Sequence, residues 1–296
     1  MLWRMLTFAL LLQAATAAPA ALAPSEIVAA APASDWIDIA PTDLLVMQLA
    51  PDHSGKVRRV LIQLMPPPFS QPWIANIRTL AKAHWWDGTS VNRVQDNYVT
   101  QWGDATEKKP LPPGLLATSE RDYTTAGEAF PTRAGRTDPY GGDTSHKAGW
   151  PIASDGRVAW PIHCYAMVGV GRGMSPDAGN GAELYTVIGH APRHLDRNVA
   201  VVGRVVDGIE HLSSLPRGTG ALGFYEDPKQ RAAVTSIRLA SELTESERPR
   251  MQYLSTETAS FAGYAGARAN RRDAFFNVPA GGADICNVPV PIRKAP

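Results

Sequence analysis

In the stretch VNRVQDNYVTQWGD, Val91 to Asp104, an arginine at position 93 is followed by a tyrosine at 98 and a glutamine at 101, among β-branched residues that favour burial. Two short strands around a turn are the expected local structure, which brings a guanidinium, a phenol and a carboxamide close together on a sheet. Such a set calls for neither nucleophile nor cofactor. It can donate charge-assisted hydrogen bonds, present an aromatic face and hold a peptide backbone. Taken alone, Arg93 reads as an ion-pair residue on a strand surface, and only its context argues for more.

Other motifs carry less chemistry. Gly169, Gly171 and Gly173 follow a strand, but the third glycine of a dinucleotide loop would fall at Met174, and PDAGNG follows where a helix must start. His163 beside Cys164 has no second cluster at metal-ligand spacing, so packing is the expected role of the histidine and no metal site is assigned. His194 and Asp196 lack a serine in a nucleophile-elbow context, which removes hydrolase chemistry. Arg268, Arg271 and Arg272 share one face of a possible terminal helix, and a solvated face is their default.

The elements that must position these groups follow from periodicity. Leu44 to Leu49 and Val57 to Met65 read as strands joined by the turn PDHSGK. Ile74, Ile77, Leu80 and Ala81 recur at helical spacing from Gln71 onward, and Asp87-Gly88 ends that helix. A long irregular region spans Ala105 to Ile162, within which two Trp-Pro-Ile copies around Asp155-Gly156 predict a hairpin confined by its prolines to an edge. CYAMVGV, ELYTVIG, NVAVVGRVVDG and VTSIRLA are further strands, and IEHLSSL is a short helix. In the tail, Phe261, Tyr264, Ala265, Ala269 and Phe276 predict a helix packed against the domain that precedes it, followed by an extended end.

Composition bounds the class. The 296 residues are 44% hydrophobic, enough for a sizeable core, and 25 Gly with 25 Pro favour a loop-rich β or α+β protein. With 29 basic against 28 acidic residues, no nucleic acid or other polyanion is an expected partner. MLWR, an apolar run and Ala15-Thr16-Ala17 predict a secretory signal over residues 1–17, with an Ala/Pro-rich linker and N-terminal segment over 18–43. No cysteine lies near the cleavage site, so a lipoprotein is not expected, nor is membrane insertion after signal cleavage. The mature chain is then periplasmic or secreted, where Cys164 and Cys286 can bridge, the alternative being two buried free thiols.

The run Arg93, Tyr98, Val99, Gln101, Gly103-Asp104 resembles the cyclophilin signature. The preceding hairpin and helix, the AMVGVG strand, the GAELYTV segment and LDRNVAVVGRVVDG resemble successive cyclophilin elements in the same order. The resemblance covers residues 44–240, interrupted by an insert at 105–162, and leaves a C-terminal extension at 241–296. It implies a mainly β fold, an eight-stranded antiparallel barrel capped by two helices, with a helical C-terminal extension. It also implies a peptidyl-prolyl cis-trans isomerase without cofactor or metal, in an exported, bacterial-like member.

By that resemblance Arg93 is catalytic. Tyr98, Val99, Tyr185 and Leu195 form an apolar floor for the proline ring, while Gln101 and Glu183 stand at substrate-contacting positions. Rotation about an X-Pro amide faces a barrier of about 18 to 20 kcal/mol. A guanidinium aimed at the prolyl nitrogen favours the twisted amide, whose nitrogen has regained a lone pair, over the planar one. Departures from the family pattern are Trp102 for a glycine, Gly169 for an asparagine, Glu183 for a glutamine, Val199 for a histidine and His194 for the aromatic before Leu195. The expected partners are proline-containing peptides or unfolded exported proteins. A prolyl-peptide binding or chaperone module with little isomerase activity is the alternative.

Overall fold

The computed structural model describes residues 21–127 and 137–296, and the expected signal peptide lies outside the described residues. Eight strands, here β1 (Leu44–Leu49), β2 (Arg58–Leu64), β3 (Thr89–Val94), β4 (Val99–Gly103), β5 (Met167–Val170), β6 (Leu184–Val187), β7 (Val201–Asp207) and β8 (Ala233–Leu239), close into a barrel. The order around it is β5-β6-β4-β3-β8-β1-β2-β7, with every pair antiparallel and β7 returning to β5. Closure leaves no edge within the barrel itself. Met47, Val60, Ile62, Trp102, Val168 and Leu184 share the main core with residues of the Gln71–Lys82 helix. That helix buries Trp73, Ile74, Ile77, Leu80 and Ala81 along one stripe, as the spacing predicts. A second, short helix, Glu210–Ser213, buries Leu212, whose carbonyl accepts from Thr100 Oγ1 on β4 at 3.1 Å.

The insert differs from the expected irregular region. Its described strands form a five-stranded sheet in the order Thr125–Ala126, Val158–Pro161, Trp150–Ser154, Gly142–Lys147 and Thr137–Asp138. The two Trp-Pro-Ile copies therefore occupy interior strands, which corrects the edge assignment. A residue of an antiparallel strand points its N–H and C=O to the same neighbour. The Pro151 carbonyl accepts from Ile162 N–H just past the last paired residues, so its missing N–H falls at the end of the ladder. Pro161 lies beyond the short Thr125–Ala126 strand, whose pairing stops at Ala159. Neither proline removes a bond the sheet was making. Trp150, Ile152, Trp160 and Ile162 continue the barrel core into the insert.

The two flanking segments also fold together. Residues 18–43, read from sequence as linker and N-terminal segment, contribute the helix Pro24–Ala30 and the strand Trp36–Asp38. This strand pairs with Met251–Leu254, which pairs in turn with Ile292–Lys294. The tail helix, Ala259–Ala269, buries Phe261, Tyr264 and Ala269, but its apolar face meets Trp36, Ile27 and Val28 rather than the barrel. Phe276 lies outside the helix and is exposed, because the helix ends at Ala269. Met251 reaches the outer surface of β1 and β2 through Leu44, Val46 and Leu61.

Arg204 of β7 joins barrel, insert and tail. Its guanidinium donates to Gln63 Oε1 at 2.9 and 2.7 Å and to the Gly149 carbonyl at 2.6 Å, with its Cζ 4.4 Å from the Trp150 ring and 5.6 Å from the Tyr253 ring. Burial lowers its pKa to about 9, with Tyr253 acting in the opposite direction. Cys164 and Cys286 form a disulfide with their Cα atoms 5.1 Å apart, tying the segment before β5 to the tail.

Candidate functional site

Strand register builds the site. Val91 of β3 stands opposite Trp102 of β4, whereas Arg93 stands opposite Gln101, so Asn92 is an extra residue between the pairs. A bulge of this kind re-aims the side chain that follows it. Val91 and Trp102 are fully buried in the barrel core, while Arg93 and Gln101 turn to the outer face. Asn92 is satisfied where it stands. Its Oδ1 accepts from Ser90 Oγ at 2.7 Å, its Nδ2 donates to the Gly103 carbonyl at 3.2 Å, and its own carbonyl accepts from Tyr225 N–H at 3.0 Å.

The row continues across the neighbouring strands. Tyr185 of β6 stands opposite Gln101, and Gly169 of β5 stands opposite Tyr185. Arg93, Gln101, Tyr185 and Gly169 thus lie in one transverse line over β3, β4, β6 and β5. Two residues along, Val99 faces Val187, and the two valines with Tyr185 form a small apolar cluster outside the barrel. The single-turn Arg193–Leu195 helix brings Leu195 against this cluster and stacks the His194 ring on Tyr98, with centroids 6.0 Å apart.

These residues line one cleft of about 390 Å³, in which Arg93, Tyr98, Val99, Gln101, Tyr185 and Leu195 all take part. Val199, Leu222 and Phe224 complete its walls, and Arg172 stands at its rim. Leu222 and Phe224 arrive from a loop far along the chain, and no local spacing announces them. The Arg93 guanidinium is half-buried and held from three sides. Nε donates to the Leu222 carbonyl at 2.7 Å, Nη1 to Gln101 Oε1 at 3.3 Å, and Nη2 makes a short bond to Gln95 Oε1. The rings of Tyr98 and Phe224 lie 5.6 and 5.5 Å from its Cζ. Burial lowers the Arg93 pKa, and Tyr98 and Tyr185 oppose that shift. Among the described residues, three of its five N–H groups are engaged, which leaves two for a bound molecule.

Glu183 sits apart from this cleft. It lines an adjoining one of about 650 Å³ that shares Gln101, Gly171, Arg172, Gly173 and Phe224 with the first. Its carboxylate lies over Gly103, where an added Cβ would stand 1.9 Å from Oε1. Burial raises the Glu183 pKa to about 7, against the opposing pull of the Asp104 backbone N–H and the Gln101 carboxamide. The polar partners of Arg93 are Leu222, Gln101 and Gln95, so the ion pair between Arg93 and Glu183 that proximity would allow is not what the geometry provides.

The departures have physical counterparts. Trp102 points into the core because it is one residue out of phase with Gln101. Gly169 leaves its outer face to the Tyr185 ring. Val199 makes its part of the cleft wall apolar. The arrangement can receive a small apolar ring against Val99, Tyr98 and Leu195 with a cationic hydrogen-bond donor at its edge.

The profile of the family described as "Cyclophilin type peptidyl-prolyl cis-trans isomerase/CLD" matches residues 71–239, more than half of the chain. Among solved structures, the chain is similar to the cyclophilin AquaCyp293 of Hirschia baltica, with 21% identity, a TM-score of 0.65, and coverage of 87% of this chain and 92% of that one. A cyclophilin-type peptidyl-prolyl cis-trans isomerase of Cryptosporidium parvum also matches at 13% identity and a TM-score of 0.40, over 67% of this chain and 96% of that one. The same parasite protein in the presence of the dipeptide Ala-Pro matches at 12% identity and a TM-score of 0.39, over 66% of this chain and 98% of that one. No curated protein matches the sequence.

Proposed function

Since the chain belongs to the cyclophilin-type peptidyl-prolyl cis-trans isomerase family, we propose that the Arg93 cleft catalyses rotation about X-Pro amides of exported proteins, with the guanidinium stabilising the twisted amide. The observation that carries this reading is the Arg93 side chain itself. It is held on the Leu222 carbonyl and Gln101 Oε1 at the edge of an apolar cleft, with donors left over. A proline ring seated on Val99 and Leu195 keeps its nitrogen near the row of polar groups. A guanidinium fixed beforehand has little to bond in the planar ground state. It gains a partner as the nitrogen becomes pyramidal, which is the differential binding that raises a rate.

Export is supported by the signal-like first residues and by a disulfide, a bond that persists in oxidising compartments. Among the described residues no helix is long and apolar enough to cross a membrane. A second reading, prolyl-peptide binding with little turnover, is favoured by Val199 and Gly169, which offer no side-chain polar contact to a substrate backbone. Exchange NMR on an Ala-Pro-containing tetrapeptide with the mature protein tests the assignment. Cis-trans exchange accelerated in proportion to enzyme concentration is expected. Saturable binding without acceleration establishes the second reading, and neither binding nor acceleration removes both. Subcellular fractionation with N-terminal sequencing tests export, for which a chain retaining residues 1–17 in the cytoplasm is the contrary result.

A further inference from the structure

The Tyr185 ring is a wall of the cleft, yet its hydroxyl faces away from it. The hydroxyl meets His163 Nε2 at 2.9 Å. His163 Nδ1 lies 3.0 Å from Asp196 Oδ1, and the His163 backbone N–H donates to the same oxygen at 3.0 Å. With Nδ1 donating to the carboxylate, Nε2 accepts from the phenol. The other Asp196 oxygen accepts from Arg193 Nε at 2.6 Å, and Arg193 Nη1 stands 2.8 Å from Asp138 Oδ2. Asp138 belongs to the Thr137–Asp138 strand of the insert. All five residues are buried.

We propose that His163 and Asp196 are positioning residues of the proline cleft, fixing the Tyr185 ring through its hydroxyl and coupling its placement to Asp138 in the insert. Burying two carboxylates, a guanidinium and an imidazole stabilises a fold less than apolar side chains of the same volume would. Lining the cleft needs only an aromatic ring, so the hydroxyl is where the network meets the Tyr185 side of the site. Asp196 also follows Leu195 directly, and Arg193 precedes His194. One carboxylate therefore anchors both sides of the cleft, Tyr185 through His163 and Leu195 through the backbone. Burial would raise the Asp196 pKa, but His163 and Arg193 outweigh it and hold the carboxyl below its ordinary value.

The inference rests on the reading of this cleft as the prolyl site, and the test separates the two. His163→Leu, Tyr185→Phe and the double variant are compared for KM and kcat on the Ala-Pro tetrapeptide, with Asp138→Asn as a remote variant that keeps side-chain shape. A wall that contacts planar and twisted amide alike changes KM with little change in kcat. His163→Leu is expected to raise KM about three- to tenfold with kcat within about twofold. Adding it to Tyr185→Phe changes nothing more, and Asp138→Asn shifts KM in the same direction by about twofold. Additive effects, or unchanged KM in folded His163→Leu and Asp138→Asn, overturn the proposal. A slowly exchanging Tyr185 hydroxyl proton, observed by NMR in the wild type and lost in Asp138→Asn, reads the coupling without any peptide. Wild type that shows the proton but leaves the peptide untouched sinks the prolyl reading alone. A hydroxyl proton in rapid exchange with water in the wild type sinks the positioning role.

Discussion

The Tyr185 ring lies across the α-carbon of Gly169, so close that a Cβ built there would stand 2.3 Å from both the Cζ and the hydroxyl oxygen of the phenol. The missing side chain on β5 and the ring on β6 are two halves of one packing solution. Gly169→Ala is therefore expected to push the ring into the cleft or out of its bond with His163. Overpacking of this kind costs about 1 to 3 kcal/mol. Thermal unfolding should show that loss, and peptide affinity should fall with it. A variant with wild-type stability and affinity would mean that the ring moves without consequence.

Arg93→Ala should lose most isomerase activity while the thermal transition stays nearly unchanged, because the side chain is half-buried and faces the cleft. A charge-assisted hydrogen bond contributes about 1.5 to 3 kcal/mol, or roughly one to two decades in rate. Arg93→Lys keeps the charge but cannot reproduce the bonds to Leu222, Gln101 and Gln95 together, so it should recover little. Exchange rates at matched enzyme concentration decide the matter, and wild-type activity in Arg93→Ala would remove the mechanism.

Glu183 makes a pH prediction with an unusual sign. Its folded pKa is raised to about 7 by burial, above the ordinary carboxylate value, so the folded state favours the protonated form. The contribution to stability is fully present below the unfolded pKa, near 4.5, and is lost as pH rises through about 7. Glu183→Gln should flatten the stability profile over that window. Substrates with a basic residue near the proline should be preferred by the wild type in the same range. Denaturant titrations from pH 4 to 8 and paired basic and acidic peptides provide the comparison. A flat wild-type profile without charge preference would mean that the carboxylate has no bearing on either property.

Alkylation of the unreduced mature protein should label no cysteine, since Cys164 and Cys286 are bridged. With the two cysteines 122 positions apart in sequence, the chain-entropy model assigns the bridge about 4 to 5 kcal/mol, and the measured loss on removal is commonly about 2 to 5 kcal/mol. The Cys286→Ser variant should unfold at lower denaturant concentration. Two labelled thiols in the wild type would contradict the bridge.

Local periodicity made the strands and the main helix legible, and their closure into a barrel followed only from the resemblance to cyclophilins. The stripe Ile74, Ile77, Leu80 marked that helix, and Arg93, Tyr98 and Gln101 disclosed the centre of the site because a bulged hairpin joins them directly. The insert was opaque for the opposite reason, since Thr125–Ala126 and Thr137–Asp138 are too short to show alternation and the prolines of their neighbours argued against interior strands. His163 and Asp196 were each visible in a motif without a local partner. Their partners were each other, 33 residues apart, with Tyr185 beyond His163 and only Arg193 close in sequence to Asp196. Leu222 and Phe224 join Arg93 across 129 residues or more, a separation that spacing rules do not span. Glu183 was legible as a departure, but its distance from Arg93 depended on Gln101 lying between them.

The sheet formed by Trp36–Asp38, Met251–Leu254 and Ile292–Lys294 imposes an order in time as well as in space. Synthesis adds roughly 5 to 20 residues per second, so Trp36 leaves the ribosome roughly ten to forty seconds before Leu254, the residue it pairs with. The barrel strands that separate them in sequence are all made in the interval. Residues 36–38 can therefore pair only after all eight barrel strands have been made, so completion of this sheet depends on both flanks of the domain.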